Sequence, residues 1–439
     1  MNKKRLPVFL LAASLLLTAG CGGHPAVDSS SSKLASNITE TQHGKTQPST
    51  SVELTPVNQL YDNFADSYQA FTADLLKQLV QASKKGQLTA EDGVLISPAS
   101  LYIALGMTAE GMAGDTLNQT LSLLHTGDAE ALREGCRDLL SLLSGNPKNS
   151  FRWANSLWLR DSFQEQILPD FLQRNQTYYS AEIVPHAFDA TLIPAINRWA
   201  EKRTDGMIKE LLQPQQLRDD SVLYLLNSLL FSGEWASPFD GRQSMDGIFR
   251  GSRGDVTLPM MRQTYKGRWM QDEVVSAALL DYKDDRTAML IAVPREESGG
   301  VDALMESLDK DTFSSWMQAM TEETIALVMP RFSIEFRSEL EKILPGMGMK
   351  DAFDSERADF SRLTTIEPTY IGSVIHQTAL QVGEEGTKAA AATAIGVLCG
   401  DAMNTRHVTA NQPFLCAVVD KPTGALLFAA VVTDPKPIA

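Results

Sequence analysis

Acid–base, metal or nucleophilic chemistry needs groups that can meet, and the histidines and cysteines are the first residues to test. The six histidines stand at positions 24, 43, 125, 186, 376 and 407, and none belongs to an HExxH or other paired metal motif. Neither a G-x-S-x-G nucleophile elbow nor a phosphate-cradling glycine loop occurs. Catalytic groups far apart in sequence can still converge in a fold, so the missing motifs weaken an enzyme reading without closing it. Four cysteines are present. With Cys21 set aside for the N-terminal processing described below, Cys136, Cys399 and Cys416 form an odd, irregularly spaced set that suits neither a disulfide framework nor a zinc site. Cys136 and Cys416 read as small apolar fillers. Cys399 lies in a stretch that reads as exposed, where oxidation could tune recognition. No metal and no cofactor is expected.

One segment is unusual in another way. Val382 to Leu398 reads VGEEGTKAAAATAIGVL: two carboxylates, a glycine, a threonine, a lysine, then an alanine-rich run. Gly386 frees backbone rotation at one end, and side chains as small as those of Ala389, Ala390, Ala391 and Ala392 could enter a close-packed interior without opening a large cavity. Taken alone, the run suits a buried alanine-rich helix as well as a strand waiting for a sheet, since alanine is the best helix former. Its setting favours the strand, because it follows the β-like IGSVIHQTALQV and precedes a polar, exposed-looking GDAMNTRH.

Other parts of the chain must hold that segment. Leu60, Phe64, Tyr68, Phe71, Leu75 and Leu79 recur at mostly helical spacing, so the folded part is expected to begin with a helix. Before it, Met1 to Cys21 has Lys3, Lys4 and Arg5, an apolar run from Pro7 to Leu17 and then Thr18-Ala19-Gly20-Cys21. That is the pattern of a secretory leader. Its apolar run is too short for an ordinary membrane-spanning helix. Thr18 to Cys21 resembles a bacterial lipobox, whose cysteine becomes the lipidated first residue; threonine is less usual there than leucine, and a plain signal peptide is the alternative. From Gly22 to about Pro56 the chain is rich in small and polar residues, which favours a solvated tether. Arg253-Gly254-Asp255 spells a tripeptide read by some adhesion receptors, but glycine between charges next to VTLPMM is better explained as a hairpin turn. The formal net charge is -15 and becomes more negative once the leader's three basic residues are removed. Such a field disfavours nucleic acid and anionic membrane surfaces as partners.

LISPASLYIALGMTAEGMAGDT (95–116), INRWAEKRTDGMIKELL (196–212), LYLLNSLLFSGEWASPFD (223–240), LPMM (258–261), MPRFSI (329–334), GMKDAFDSERADFS (348–361), IHQTALQVGEEGT (375–387) and NQPF (411–414) follow one another along the chain. Each is weak alone. In this order they resemble the serpin family over roughly residues 57 to 435. The resemblance implies an α+β fold with a large central, mostly antiparallel sheet, additional sheets, about eight or nine helices and an exposed reactive-centre loop at about 384–408. The organisation expected is a signal peptide over 1–20, a lipidated disordered tether over 21–56 and a serpin domain over 57–439. The protein would be exported and lipid-anchored at the bacterial cell envelope or surface through Cys21, or secreted if the lipobox is unused. Some plasma relatives bind heparin through a basic helix; the corresponding stretch, Ala131 to Leu140, sets Arg133 and Arg137 beside Glu134 and Asp138, so no heparin site is expected. A monomer is expected.

The function implied is suicide-substrate inhibition of serine proteases, with cysteine proteases as a second class. A protease attacks the loop, forms its acyl-enzyme, and the freed upstream part enters the central sheet as a new strand, dragging the protease with it. The hinge would be Glu384, Glu385, Gly386, Thr387, Lys388, Ala389, Ala390, Ala391 and Ala392. Strand alternation puts Thr387, Ala389, Ala391 and Thr393 on one face and Lys388 on the other, so the single charge lands on the solvent side. Roughly a dozen new backbone hydrogen bonds, at about 0.5–1.5 kcal/mol each, would supply on the order of 10 kcal/mol. The family also implies a polar latch where the sheet parts, formed by Ser97, Ser100, Asn227 and His376.

Two counts bracket the scissile bond. Counting forward from Glu384 puts it after Gly400; counting back from Pro413 puts it after Ala402. The bracket Cys399, Gly400, Asp401, Ala402 and Met403 holds no lysine, arginine or large aromatic residue. Elastase-like or subtilisin-like serine proteases fit it, and Val397-Leu398 would also suit papain-like cysteine proteases. The alternative is a non-inhibitory serpin-fold binding or display protein whose loop is only a substrate.

Overall fold

Phe64, Tyr68, Phe71, Leu75 and Leu79 are all buried on one helix, α1 (Phe64–Lys84), as their spacing predicts. In the computed structural model the described residues are 11–21, 64–144, 151–217, 220–387 and 405–438. The tether and the loop residues from Lys388 to Asn404 therefore lie outside the described residues. After α1 come α2 (Pro98–Ala109), α3 (Gly114–Leu123), α4 (Ala129–Ser144), α5 (Pro169–Tyr179), α6 (Leu192–Arg203), α7 (Gly300–Ser307) and α8 (Thr312–Ala319). The strands are β1 (Leu11–Cys21), β2 (Gly93–Ile96), β3 (Phe151–Arg160), β4 (Glu182–His186), β5 (Ser221–Phe231), β6 (Met245–Gly251), β7 (Gly254–Gln271) and β8 (Val275–Asp281). They continue with β9 (Thr287–Pro294), β10 (Thr321–Pro330), β11 (Phe332–Glu339), β12 (Thr369–Val382), β13 (Thr405–Thr409), β14 (Phe414–Asp420) and β15 (Leu426–Val432).

The strands form two sheets, a six-stranded one ordered β11-β12-β1-β5-β3-β4 and a nine-stranded one ordered β13-β10-β7-β8-β9-β14-β15-β2 with β6 paired to β7. Pairing is antiparallel except between β3 and β4 and between β10 and β13. This is the α+β architecture expected, with eight α-helices among the described residues.

The main core lies between the sheets. Helix α2 is buried at every position because it passes between β5 and β15, and its sequence is accordingly apolar all round. Alternation along β5 then decides which side each residue serves. Leu223, Leu225, Leu229 and Phe231 face the main core, whereas Tyr224, Leu226 and Leu230 join Leu192, Ile196 and Ala200 of α6 in a second cluster on the opposite face. The Arg253-Gly254-Asp255 stretch is the hairpin turn its sequence suggests: Gly251 pairs with Gly254, and the Arg253 backbone N–H donates to Asp434 Oδ1 at 2.8 Å.

Candidate functional site: a strand slot, its hinge and its latch

The hinge begins where β12 ends. Gly383 and Gly386 exchange backbone hydrogen bonds, turning the chain back on itself. Gly386 has φ +130°, and a Cβ there would stand 2.3 Å from the Gly233 carbonyl oxygen, so both conformation and space demand glycine. The segment after β5 clamps this turn: Trp235 N–H donates to Glu385 O (3.1 Å), Phe239 N–H to Glu384 O (2.8 Å) and Trp235 Nε1 to Gly383 O (2.9 Å). The Glu384 carboxylate accepts from Ser244 Oγ at 2.9 Å and stands 3.6 Å from Arg331. Thr387 is fully buried, donates its N–H to Gly233 O and shares a 3.1 Å hydrogen bond with the Tyr282 hydroxyl. The Tyr282 ring stacks on Trp235 at 4.5 Å. Burial pushes the Tyr282 hydroxyl far up, so it stays protonated.

Below the hinge, four buried residues read from the sequence as a latch divide into two sets. Ser97 caps α2, accepting from Ser100 N–H at 3.1 Å while its hydroxyl donates to Leu427 O at 2.9 Å. Its own N–H donates to His376 Nε2 at 3.2 Å. On the other side Ser100 Oγ donates to Asn227 Oδ1, Asn227 Nδ2 to Asn155 Oδ1 (2.6 Å), and Asn155 Nδ2 to Tyr179 O (2.7 Å). His376 is fully buried and burial pulls its imidazole down to about 3, so it is neutral; its Nδ1 has no partner among the described side chains.

His376 and Asn227 do not touch, because β1 runs between them. Leu15 lies opposite His376 on β12 and opposite Asn227 on β5. β1 is antiparallel to both neighbours, from Leu11 opposite Leu380 and Phe231 to Cys21 opposite Thr369. The six-stranded sheet thus contains a slot between β5 and β12, filled by a strand that comes from far away in the chain. The hinge stands at the end of the slot where Leu11 sits. The structure brings Glu384, Glu385, Gly386 and Thr387 together with the slot and divides Ser97, Ser100, Asn227 and His376 across it. Lys388, Ala389, Ala390, Ala391 and Ala392 of the hinge, and Cys399, Gly400, Asp401, Ala402 and Met403 of the cleavage bracket, lie outside the described residues.

Sequence reading missed the clamp of Trp235, Phe239 and Tyr282 and the role of Asn155. The signal available was the tryptophan in GEWASPFD, an aromatic whose indole N–H needs a buried acceptor. Cys136 and Cys416 are buried and unpaired, as fillers should be. On α4, Arg133 turns inward to Glu110 at 3.0 Å and Arg137 pairs with Glu134. Among the described residues no group of His, Cys, Asp and Glu could hold a metal, and no described helix is long and apolar enough to cross a membrane.

The resemblance expects a latch in one piece, and the strand in the slot divides it; the family itself is tested by comparison with known proteins. The family model described as "Serpin (serine protease inhibitor)" matches residues 66–435. An uncharacterized serpin-like protein of Thermococcus kodakarensis is 28% identical over 98% of this chain and 99% of its own. Plasminogen activator inhibitor 1 of Sus scrofa is 30% identical over 83% of this chain and 91% of its own. The native-state crystal structure of the thermophilic serpin tengpin superposes with a TM-score of 0.75 at 26% identity, covering 87% of this chain and 97% of that one. The chain belongs to the serpin family, whose members are mostly protease inhibitors rather than enzymes.

Proposed function

We propose that the protein is a suicide-substrate inhibitor of serine endopeptidases, elastase-like or subtilisin-like, with papain-like cysteine proteases as a second class. One observation carries this reading: the six-stranded sheet accommodates a central strand antiparallel to both β5 and β12, at whose end the hinge releases the loop. A loop cut within 399–403 would enter that slot from Thr387 onward. Two features support a hinge built for insertion. Thr387 already sits buried at the slot's mouth, and the residues that follow it are small, with Lys388 the single charge up to Cys399. As a filled two-sided strand the loop would gain on the order of 10 kcal/mol in hydrogen bonds, comparable with a whole domain's stability. The unfilled form is therefore held kinetically.

We also read the protein as exported and held at the cell envelope by a lipid on Cys21. Cys21→Ser would then move it from the detergent phase to the aqueous phase, and an unchanged partition would remove the anchor.

The inhibitor reading is tested by mixing residues 57–439 with neutrophil elastase, subtilisin, papain and trypsin, followed by denaturing gels and intact masses. A denaturant-stable adduct with one of them is expected, and the released C-terminal peptide then fixes the scissile bond between Cys399 and Met403. Cleavage by all of them without an adduct would overturn inhibition and leave a binding or display protein.

A further inference from the structure

Leu11–Cys21 is the stretch the sequence reads as the end of an export leader, yet it forms β1 in the strand slot. It pairs along its length with both neighbours, with one register irregularity on each side, at Thr18/Ala19 against β12 and Ala19/Gly20 against β5. The segment contains no charge and no proline. Nothing in it interrupts a two-sided ladder, since proline would delete a donor and a buried charge would need a partner. Lys388–Leu398 of the loop is of equal length and similarly small and charge-poor. Its attachment at Thr387 stands at the end of the slot where Leu11 begins to pair. One slot cannot hold both segments.

We propose that residues 11–21 are a placeholder strand. In a copy that folds before its leader is removed, they fill the slot, so the loop can be cut but not inserted and the chain cannot trap a protease. Cleavage before Cys21 then takes away Leu11–Gly20 and arms the molecule in the same event that completes its export. While in place, the strand also covers the facing edges of β5 and β12, which would otherwise be open to a strand from another copy. The idea rests on the inhibitor reading above, with the slot shared between leader and loop.

The test uses the full chain, made without export so that the leader is retained. It is compared with the full chain carrying Leu15→Pro, which removes a backbone donor midway along the strand and puts a ring where the ladder must pass, and with a chain starting at Gly22. Subtilisin is expected to cut the unaltered full chain without forming an adduct, and both comparison proteins to give at least about tenfold more adduct. The unaltered chain should also unfold about 20 °C above them, as a filled sheet requires. Equal, readily detected adduct yields from all three, or equal unfolding temperatures, would overturn the placeholder. Should none form an adduct while the unaltered chain still unfolds at the higher temperature, the placeholder stands and the inhibitor reading falls.

Discussion

The two sheets of this protein are stabilised in different ways. In the nine-stranded sheet, β9, β14 and β15 are buried at every position and almost wholly apolar. Their one buried carboxylate, Asp420, is gripped by Arg286, and β14 and β15 are neighbours in sequence. In the six-stranded sheet, Asn155, Asn227, Ser228, Ser338, His376 and Thr378 are buried among the apolar residues, and the central strand is supplied from elsewhere in the chain. An apolar ladder whose one carboxylate is paired has one good packing. Buried polar groups that can exchange partners allow a second. Strength is thus concentrated in one sheet and change in the other.

The largest effect should come at the mouth of the slot. Thr387→Arg would force a guanidinium into a fully buried site facing Tyr282, and insertion would stall at its first step. The yield of covalent complex is expected to fall at least about a hundredfold while the loop is still cut. An undiminished yield would mean that the six-stranded sheet is not where the trapping change occurs.

A second variant strikes the other sheet. Phe428 on β15 is buried, and Phe428→Ala should cost about 3–5 kcal/mol through lost burial and the cavity left behind. Phe428 belongs to the nine-stranded sheet and not to the one that holds the slot, so filled and unfilled forms should lose the same amount in denaturant titrations. A loss confined to one form would undo the division of labour between the sheets.

The division was partly legible in the sequence. The helical spacing of Phe64 to Leu79 announced α1, and the motif order from Leu95 to Phe414 announced the family and with it the sheets. Gly386 was legible as a point of backbone freedom, and the structure adds the reason it must be glycine, a left-handed φ and a Gly233 carbonyl where a Cβ would stand. The clamp around it was not, since Trp235, Phe239 and Tyr282 reach Gly383, Glu384 and Thr387 only across long sequence separations. Nor was the division of the latch. The resemblance implies a single latch, whereas the separation of His376 from Asn227 depends on which strand fills the slot. Leu11–Cys21 could be read as a leader from its apolar run, and composition carries no hint of register with β5 and β12, which only pairing can supply.

His376 offers a subtler probe of the changeable sheet. Burial holds its imidazole at about 3, against an ordinary value of roughly 6.5 in an unfolded chain. The unfolded state therefore binds the proton first. The stability this group confers is complete above about pH 6.5 and is lost as the pH falls towards 3. Between pH 7.5 and pH 5 the filled form should lose about 2 kcal/mol from this residue. His376→Gln should flatten that part of the pH profile of the denaturation midpoint. A profile identical to that of the parent would place the acid sensitivity elsewhere.

The smallest effect is expected at the rim of the strong sheet. Arg253 lies in the β6–β7 turn with its side chain 58% exposed, and its Nε stands 3.6 Å from Asp434 Oδ2. Its guanidinium also donates to the Glu91 carbonyl at the surface, and contacts this exposed contribute on the order of 1 kcal/mol together. The Arg253 backbone N–H, which holds the turn to Asp434 Oδ1, survives in Arg253→Ala. The variant should therefore unfold within a degree or two of the parent and trap proteases at the same rate. It also separates two uses of the same tripeptide. A hairpin needs Gly254 for its φ of +133° but makes little demand on the arginine side chain, whereas an adhesion receptor reading Arg-Gly-Asp would need the guanidinium itself. Cell attachment lost in Arg253→Ala at unchanged stability would show that this rim is a recognition surface and not merely a turn.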